Sequence, residues 1–520
     1  CILPIFATLW SLYFSLIQIS QTFKHQSDEL LLEAGFLCLF LAPFNSSKKS
    51  GVADKIGIVM LKWLLFRFLF DSGSVKFFSG CPYWWSYTGL SRHFETLPLP
   101  TPFSWFCHHL PPRYLKISTL FTHISELICP WFFFFPSRSV RVLLFYWEVY
   151  LQLTIILSGN YGFLNFLVIT LLFSLLDDRF FEEKSKTRAI LGTFFTTIVF
   201  TVLFYIVHIG FGHSLEKLLF KYEHLAVLRS MVKLSPLVAL VAVVATFFTN
   251  VVYHPCIKHA KSFWAKASEF NTLLAFTLCG LALIGVSVVP HSNLDAATNI
   301  TDTQLGRYYK EINRFNIVNE YGRHLRKMRS ERLEVTLEYA QNAEGTWHEI
   351  PFVYKPWTTE DTSVYAGPYL PRLDMKFYDI VNSNYRDEPW ILSLAYRIMR
   401  NEPEVLNLFG LKDKLKPTPK YVRATLNKFK YTPLSEKDEP TLWIKKMQGV
   451  YFAPFSADSA TLQAHLKNMK ILKIPNGPDV HNQFLKNILD TIRTQSQRLE
   501  PHVLLFAVAV SGLLIVLTKK

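Results

Sequence analysis

Cysteine is scarce and scattered, with seven residues in 520 and no C-x-x-C pair, which excludes a zinc ribbon and a thioredoxin-type redox motif. The 55 basic residues exceed the 40 acidic ones and give a formal charge of +15. No Lys/Arg tract or basic helix with interleaved aromatics carries that excess, so nucleic acid is set aside as a partner. No glycine-rich phosphate loop, H-E-x-x-H helix or nucleophile motif is present, and no catalytic residue, metal ligand set, cofactor site or small-molecule substrate is assigned. The spans show neither an inverted repeat nor paired Gly/Pro interruptions, which places transport below other readings.

Apolar and aromatic residues are abundant. The chain is 50% hydrophobic with 45 Phe, and its mean hydropathy of +0.19 averages two unlike parts. Apolar runs occur at 1–19, 30–44, 56–70, 115–135, 140–157, 161–176, 189–210, 234–253, 270–290 and 502–518. A crossing needs about 17 to 20 apolar residues, so the run at 30–44 is short enough to be re-entrant. The first residues lack a basic n-region and resemble a mid-protein span more than a signal peptide; the amino terminus is expected to lie upstream of Cys1. Residues 212–233 place leucines at helical spacing between basic residues and read as a helix along the membrane surface.

The organising stretch of the sequence is Asp71 to Tyr114. It is polar, broken by prolines and dense in Trp and His. Irregular backbone needs water or protein to satisfy its amides, so this loop is expected outside the bilayer or roofing a helix bundle. Lys and Arg are enriched in the alternate connections that leave both this loop and residues 291–501 on the other side. By the positive-inside rule, loop and soluble part are then luminal. Seven runs separate the two N-x-S/T sequons, at Asn45 and Asn299, so both are not luminal if all seven cross; Asn299 is expected to be glycosylated and Asn45 not. Arg67, Glu126 and Glu148 are ionisable residues inside spans, read as internal pairs of Arg67 with Glu126 or Glu148, or else as a polar pathway.

The composition changes after Pro290. Arg332 to Tyr339 alternates strictly, with Leu333, Val335, Leu337 and Tyr339 on a core face opposite Arg332, Glu334, Thr336 and Glu338. Ile350, Phe352 and Tyr354 continue the alternation on an antiparallel partner, and Tyr421 to Tyr431 is a further strand. Pro389 opens an amphipathic helix ending near Met399, and a second short helix follows. The predicted architecture is a polytopic α-helical membrane domain (1–290) with the Pro/Trp/His-rich loop at 71–114, a luminal α+β domain with an antiparallel sheet core (291–500), and a C-terminal span with a basic tail (501–520).

Several stretches together resemble the lipase maturation factor family, its type 2 branch more than type 1. They are LLLEAGF at 30–36, KWLLFRF at 62–68, HFETLPLPTPFSW at 93–105 with HHLP at 108–111, and GNYGFLN at 159–165 with LLDD at 175–178. In the soluble part they are VNEYG at 318–322, WHEI at 347–350, YKP at 354–356 and PRLD at 371–374. Leu97, Cys107 and Met375 depart from the family pattern. The resemblance implies a multi-pass endoplasmic reticulum protein that helps secreted lipases fold, assemble as dimers and leave the compartment. Its partners would be those lipases and membrane lipid, and it would be no enzyme.

The family-signature loop holds Trp85, His93, Glu95, Pro98, Pro100, Pro102, Trp105, His108 and His109. A membrane-embedded enzyme using His93, Glu95, His108 and His109 is the alternative function, and a factor for clients other than lipases is another. Adjacent histidines rarely point at one ion, so the blander expectation is that the tryptophans, with Trp84, anchor the loop at the interface while the histidines cap backbone groups. Cys81 and Cys107 share this loop and would either pair as a disulfide or remain free thiols.

Overall fold

The computed structural model describes residues 2–43, 51–177, 224–259, 262–469 and 482–497, apart from a few short gaps, with isolated positions beyond. The run at 189–210, the sequon at Asn45, residues 212–223 and most of 502–518 lie outside the described residues.

The chain forms two compact units that interleave in sequence. The first contains Cys1–Ser91, Leu110–Ile155 and Leu164–Met328; the second contains Arg92–His109, Ile156–Phe163 and Arg329–Lys520. Residues 293–328, read above with the soluble part, therefore pack with the helices.

The first unit is built around α3 (Asp54–Phe78). Earlier helices are α1 (Leu3–Ile19) and α2 (Gln26–Leu39). The helix α3 runs through Asp71 and Lys76 without a break, so the loop expected from residue 71 begins only after Phe78. Nearly every residue from Ile56 to Phe77 is buried, including Arg67, Asp71 and Lys76. A helix apolar or internally paired all round belongs inside a bundle rather than against lipid.

Four described helices are long and apolar enough to cross a membrane: Pro112–Phe134, Arg138–Ser158, Leu225–Tyr253 and Phe263–Ser292. Leu3–Ile19 and Leu164–Leu175 are shorter apolar helices, and α2 has 14 residues. Residues 225–233, expected along the surface, are instead the first turns of Leu225–Tyr253, which carries Pro236 in its interior.

The second unit holds a four-stranded antiparallel sheet in the order β2-β1-β3-β4. Its strands are β1 (Arg332–Ala340), β2 (His348–Glu349), β3 (Tyr421–Tyr431) and β4 (Trp443–Ser456). The register sets Val335 opposite Leu426, Leu337 opposite Ala424 and Tyr339 opposite Val422. This face packs on Phe352, Phe377, Ile391, Ala395 and Ile398, the last three from the helix Pro389–Met399. Period-two alternation on the strands meeting period-3.6 spacing on the helix makes a two-layer core. The long strand β4 has no counterpart in the sequence reading. Of the expected partner strand only His348 and Glu349 pair in register; the Ile350 amide still donates to Leu337 O at 2.9 Å, and the pairing stops at Pro351, which lacks a donor.

Candidate functional site

The opposite face of the sheet was expected to meet solvent, yet Arg332, Glu334 and Thr336 are fully buried and Glu338 nearly so. The cover is the signature loop. Arg332 donates from Nη1 to the carbonyls of Glu95, at 3.1 Å, and Leu97, and from Nη2 to that of Pro98 at 3.0 Å. Its Nη2 also meets Glu334 at 2.7 Å, and Lys355 Nζ closes on the other Glu334 oxygen at 2.9 Å. A buried carboxylate is tolerable here because two cations compensate it. The planar guanidinium suits this task, since its fixed fork serves several carbonyls at once. The loop's prolines, Pro98 among them, supply no competing donors and hold the chain extended, leaving carbonyls free to accept.

The rest of the loop is fastened in the same way. Glu95 accepts from the Tyr431 amide at 3.1 Å, and Tyr378 OH donates to Thr96 O at 2.7 Å. Asn160 reaches Pro100 O at 3.2 Å, and Ser104 Oγ donates to Ser158 O at 2.8 Å. Pro102 opens the helix Pro102–His108, with Thr101 and Ser104 forming its capping box. Trp105 then packs with Phe429, Tyr431 and Trp443; the Tyr431 and Trp443 rings stack at 4.1 Å.

The histidines are absorbed individually. His93 Nε2 lies 2.8 Å from Tyr161 OH, and His109 Nδ1 lies 2.8 Å from Trp105 O. The His108 ring packs 5.3 Å from Tyr431, and burial pulls its imidazole below the ordinary histidine range, opposed by the neighbouring Glu95 carboxylate. Among the described residues no three His, Cys, Asp or Glu side chains are grouped to hold a metal. The tryptophans are not interface anchors in the expected sense, because Trp84 and Trp105 are buried inside their units and Trp85 Nε1 donates to Phe77 O at 3.1 Å. Cys81 and Cys107, raised as a disulfide, are both free thiols; burial pushes the Cys107 thiol up.

Within the helical unit the polar pairing differs from expectation. Arg67 pairs with Glu33, and Glu126 with Lys76. Glu148 is fully buried and has no ion-pair partner among the described residues. Glu33 also accepts from Tyr321 OH at 2.7 Å and the Asn319 amide at 2.8 Å, while Arg67 Nη1 donates to Asn319 O at 3.1 Å. Three of the signature stretches thus meet at one buried cluster. Gly322 completes it at φ +84°, where a Cβ would lie 2.9 Å from Asp71 O.

Beside it, His291 Nδ1 sits 2.6 Å from Asp71 Oδ1, and Ser235 Oγ sits 2.7 Å from the other ring nitrogen. This is the hydrogen-bond order of a hydrolase triad. All three side chains are sealed, at 1% exposure or less, so the chain joins three helices and presents no nucleophile. Sequence reasoning missed Ser235, His291 and Arg332, none of which carries a local signal. Lys355 and Asp374 did stand in quoted motifs. Asp374 accepts the amides of Tyr354 and Lys355, each at 3.1 Å.

One feature of the sheet remains open. Among the described residues no strand pairs with the outer edge of β4, where Ile444, Met447 and Val450 are exposed by about half. Lys446 stands exposed on the same strand.

The apolar helices and the antiparallel sheet define a membrane protein with a helical region followed by a sheet-containing region. Sequence comparison makes this specific: the chain belongs to the lipase maturation factor family. Residues 1–183 match the lipase maturation factor transmembrane domain, and residues 317–453 match the lipase maturation factor C-terminal domain. Lipase maturation factor 2 of Gallus gallus is 31% identical over 97% of this chain and 75% of its own length. The Xenopus laevis factor 2 is 32% identical over 86% of this chain and 68% of its own length. Lipase maturation factor 1 of Homo sapiens is more distant, at 25% identity over 87% of this chain and 70% of its own length. No solved structure matches.

Proposed function

We propose that the protein is a maturation factor of the endoplasmic reticulum membrane that helps secreted lipases fold, assemble as dimers and be exported, and that it acts by binding rather than by covalent chemistry. The observation that carries this reading is similarity to relatives named Lipase maturation factor 2 across nearly the whole chain. In this reading the sheet unit is luminal, the side that the distribution of Lys and Arg in the connections favours. Asn299, in the helical unit, is exposed, and its side chain accepts from Thr301 Oγ1 at 2.6 Å and the Thr301 amide at 2.7 Å, so the sequon is accessible for a test of that side.

The client is held along β4. The signature loop is spent on one face of the sheet, whereas beyond Trp443, whose amide donates to Thr359 O at 3.2 Å, no strand among the described residues pairs with the outer β4 edge, which leaves it open to strand addition. Ile444, Met447 and Val450 would meet apolar side chains of an extended, partly folded lipase segment, and Lys446 would favour acidic residues within it. The register shifts between β3 and β4 twist this edge and limit self-pairing.

The test is secreted lipase activity in cells lacking their own maturation factor, with and without the full-length product of this gene. Recovery of active, dimeric lipase is expected. Loss of a glycan-sized mass on endoglycosidase treatment, absent in Asn299→Gln, reports luminal placement separately. No recovery despite a glycosylated protein would overturn the lipase assignment and direct the search to other secreted clients. The exposed substitutions Ile444→Asp, Met447→Asp and Val450→Asp are expected to leave protein abundance unchanged, since surface changes typically alter stability by less than about 0.5 kcal/mol. Combined, they should lower lipase recovery several-fold; unchanged recovery removes the β4 edge from the mechanism.

A further inference from the structure

The helix Gln483–Gln497 carries Phe484, Leu485, Ile488 and Leu489, a spacing that puts all four on one face. They are 70%, 49%, 38% and 42% exposed, and none joins a hydrophobic cluster of the sheet unit. Lys486, Asp490 and Thr494 occupy the other side of the helix. An apolar stripe of this kind on an otherwise polar helix marks a binding face.

Its place in the chain indicates what covers it. Only four residues, 498–501, separate it from the apolar run at 502–518 and the terminal Lys519 and Lys520. Four residues reach at most about 14 Å when fully extended. If that run crosses the bilayer, as its length and flanking lysines imply, the end of the helix is held at the membrane surface. A second copy of the helix is the weaker fit, because a coiled coil requires its pattern sustained over about three to four heptads, and this helix has 15 residues.

We propose that Gln483–Gln497 is an interfacial helix, lying in the plane of the membrane with Phe484, Leu485, Ile488 and Leu489 at the boundary between headgroups and acyl chains. It adds a second contact with lipid next to the C-terminal span. The proposal is independent of the client and rests on the span alone.

The experiment uses the full chain in phosphatidylcholine nanodiscs containing a clickable phospholipid, with p-benzoylphenylalanine at position 484, 488, 494 or 514 in separate samples. Irradiation is expected to give lipid adducts at 484 and 488, and at 514 within the span, with at least a five-fold weaker yield at 494. Adducts at 514 alone overturn the interfacial helix while the span stands. No adduct at 514 removes the span and the inference with it. Equal yields at 488 and 494 overturn the orientation, and protein dimers formed through 484 or 488 make a second copy the occupant.

Discussion

Replacing Arg332 with alanine takes the donors away from three loop carbonyls and changes the balance of charge around Glu334. Breaking a buried pair from one side costs about 3 to 5 kcal/mol, so Arg332→Ala is expected to lower the thermal midpoint of the sheet unit strongly. Arg332→Lys should recover little of it, since an ammonium lacks the fork geometry. Equal midpoints for wild type and Arg332→Ala would show that the loop is held without this residue. Asp374 gives a pH-dependent case. Burial raises its carboxyl above the ordinary range, against the opposing pull of the Tyr354 and Lys355 amides. The folded state then binds the proton more tightly than the unfolded chain, so this group's stabilising contribution is full below the unfolded value and is lost as pH rises through the folded one. Asp374→Asn keeps an acceptor oxygen without titrating. Its midpoint relative to wild type is expected to rise as pH is raised from about 4 to 7; a constant difference would count against the shift. The alternation of Arg332 to Tyr339 was legible, but the fate of its polar side was not. Residues up to 237 positions upstream cover it, and no local pattern encodes a contact at that separation.

At the scale of elements, α3 shows why a sequence window misjudges a buried helix. The apolar run at 56–70 reads as a span, while Asp71 and Lys76 make the last two turns resemble the start of a loop. Arg67, Asp71 and Lys76 pair with Glu33, His291 and Glu126 of neighbouring helices, and that pairing permits the burial of α3. Lys76→Met or Glu126→Met alone should each lower thermal stability in detergent by leaving its partner an uncompensated buried charge, at a cost of about 3 to 5 kcal/mol, and the double variant should regain most of that loss. Strictly additive losses would mean the two groups do not stabilise one another. Gly322→Ala is expected to cost about 1 to 3 kcal/mol, because alanine disfavours a positive φ and its Cβ meets the Asp71 carbonyl. An unchanged midpoint would show that the backbone relaxes there. The strand β4 escaped notice because residues 443–456 mix lysine, glycine and proline into the alternation, as edge strands commonly do.

For the whole molecule, the amino-acid sequence by itself determined the class and the family. Hydrophobic runs of bilayer length, the change of composition after Pro290 and motifs spread over most of the chain are local properties that survive without coordinates. It also determined the strands β1 and β3 and the helix packed on them, since burial of one face imposes the period of its element. Only the tertiary structure decided which motif meets which: Glu33 with Arg67 and Asn319, Asp71 with His291 and Ser235, and the 93–105 loop with Arg332. The units themselves are assembled from segments distant in sequence. The physical reason is that a buried polar group specifies only that it must be satisfied, by charge or hydrogen bond, and many residues of the chain offer the same chemistry. Which of them arrives is settled by how the apolar surfaces pack.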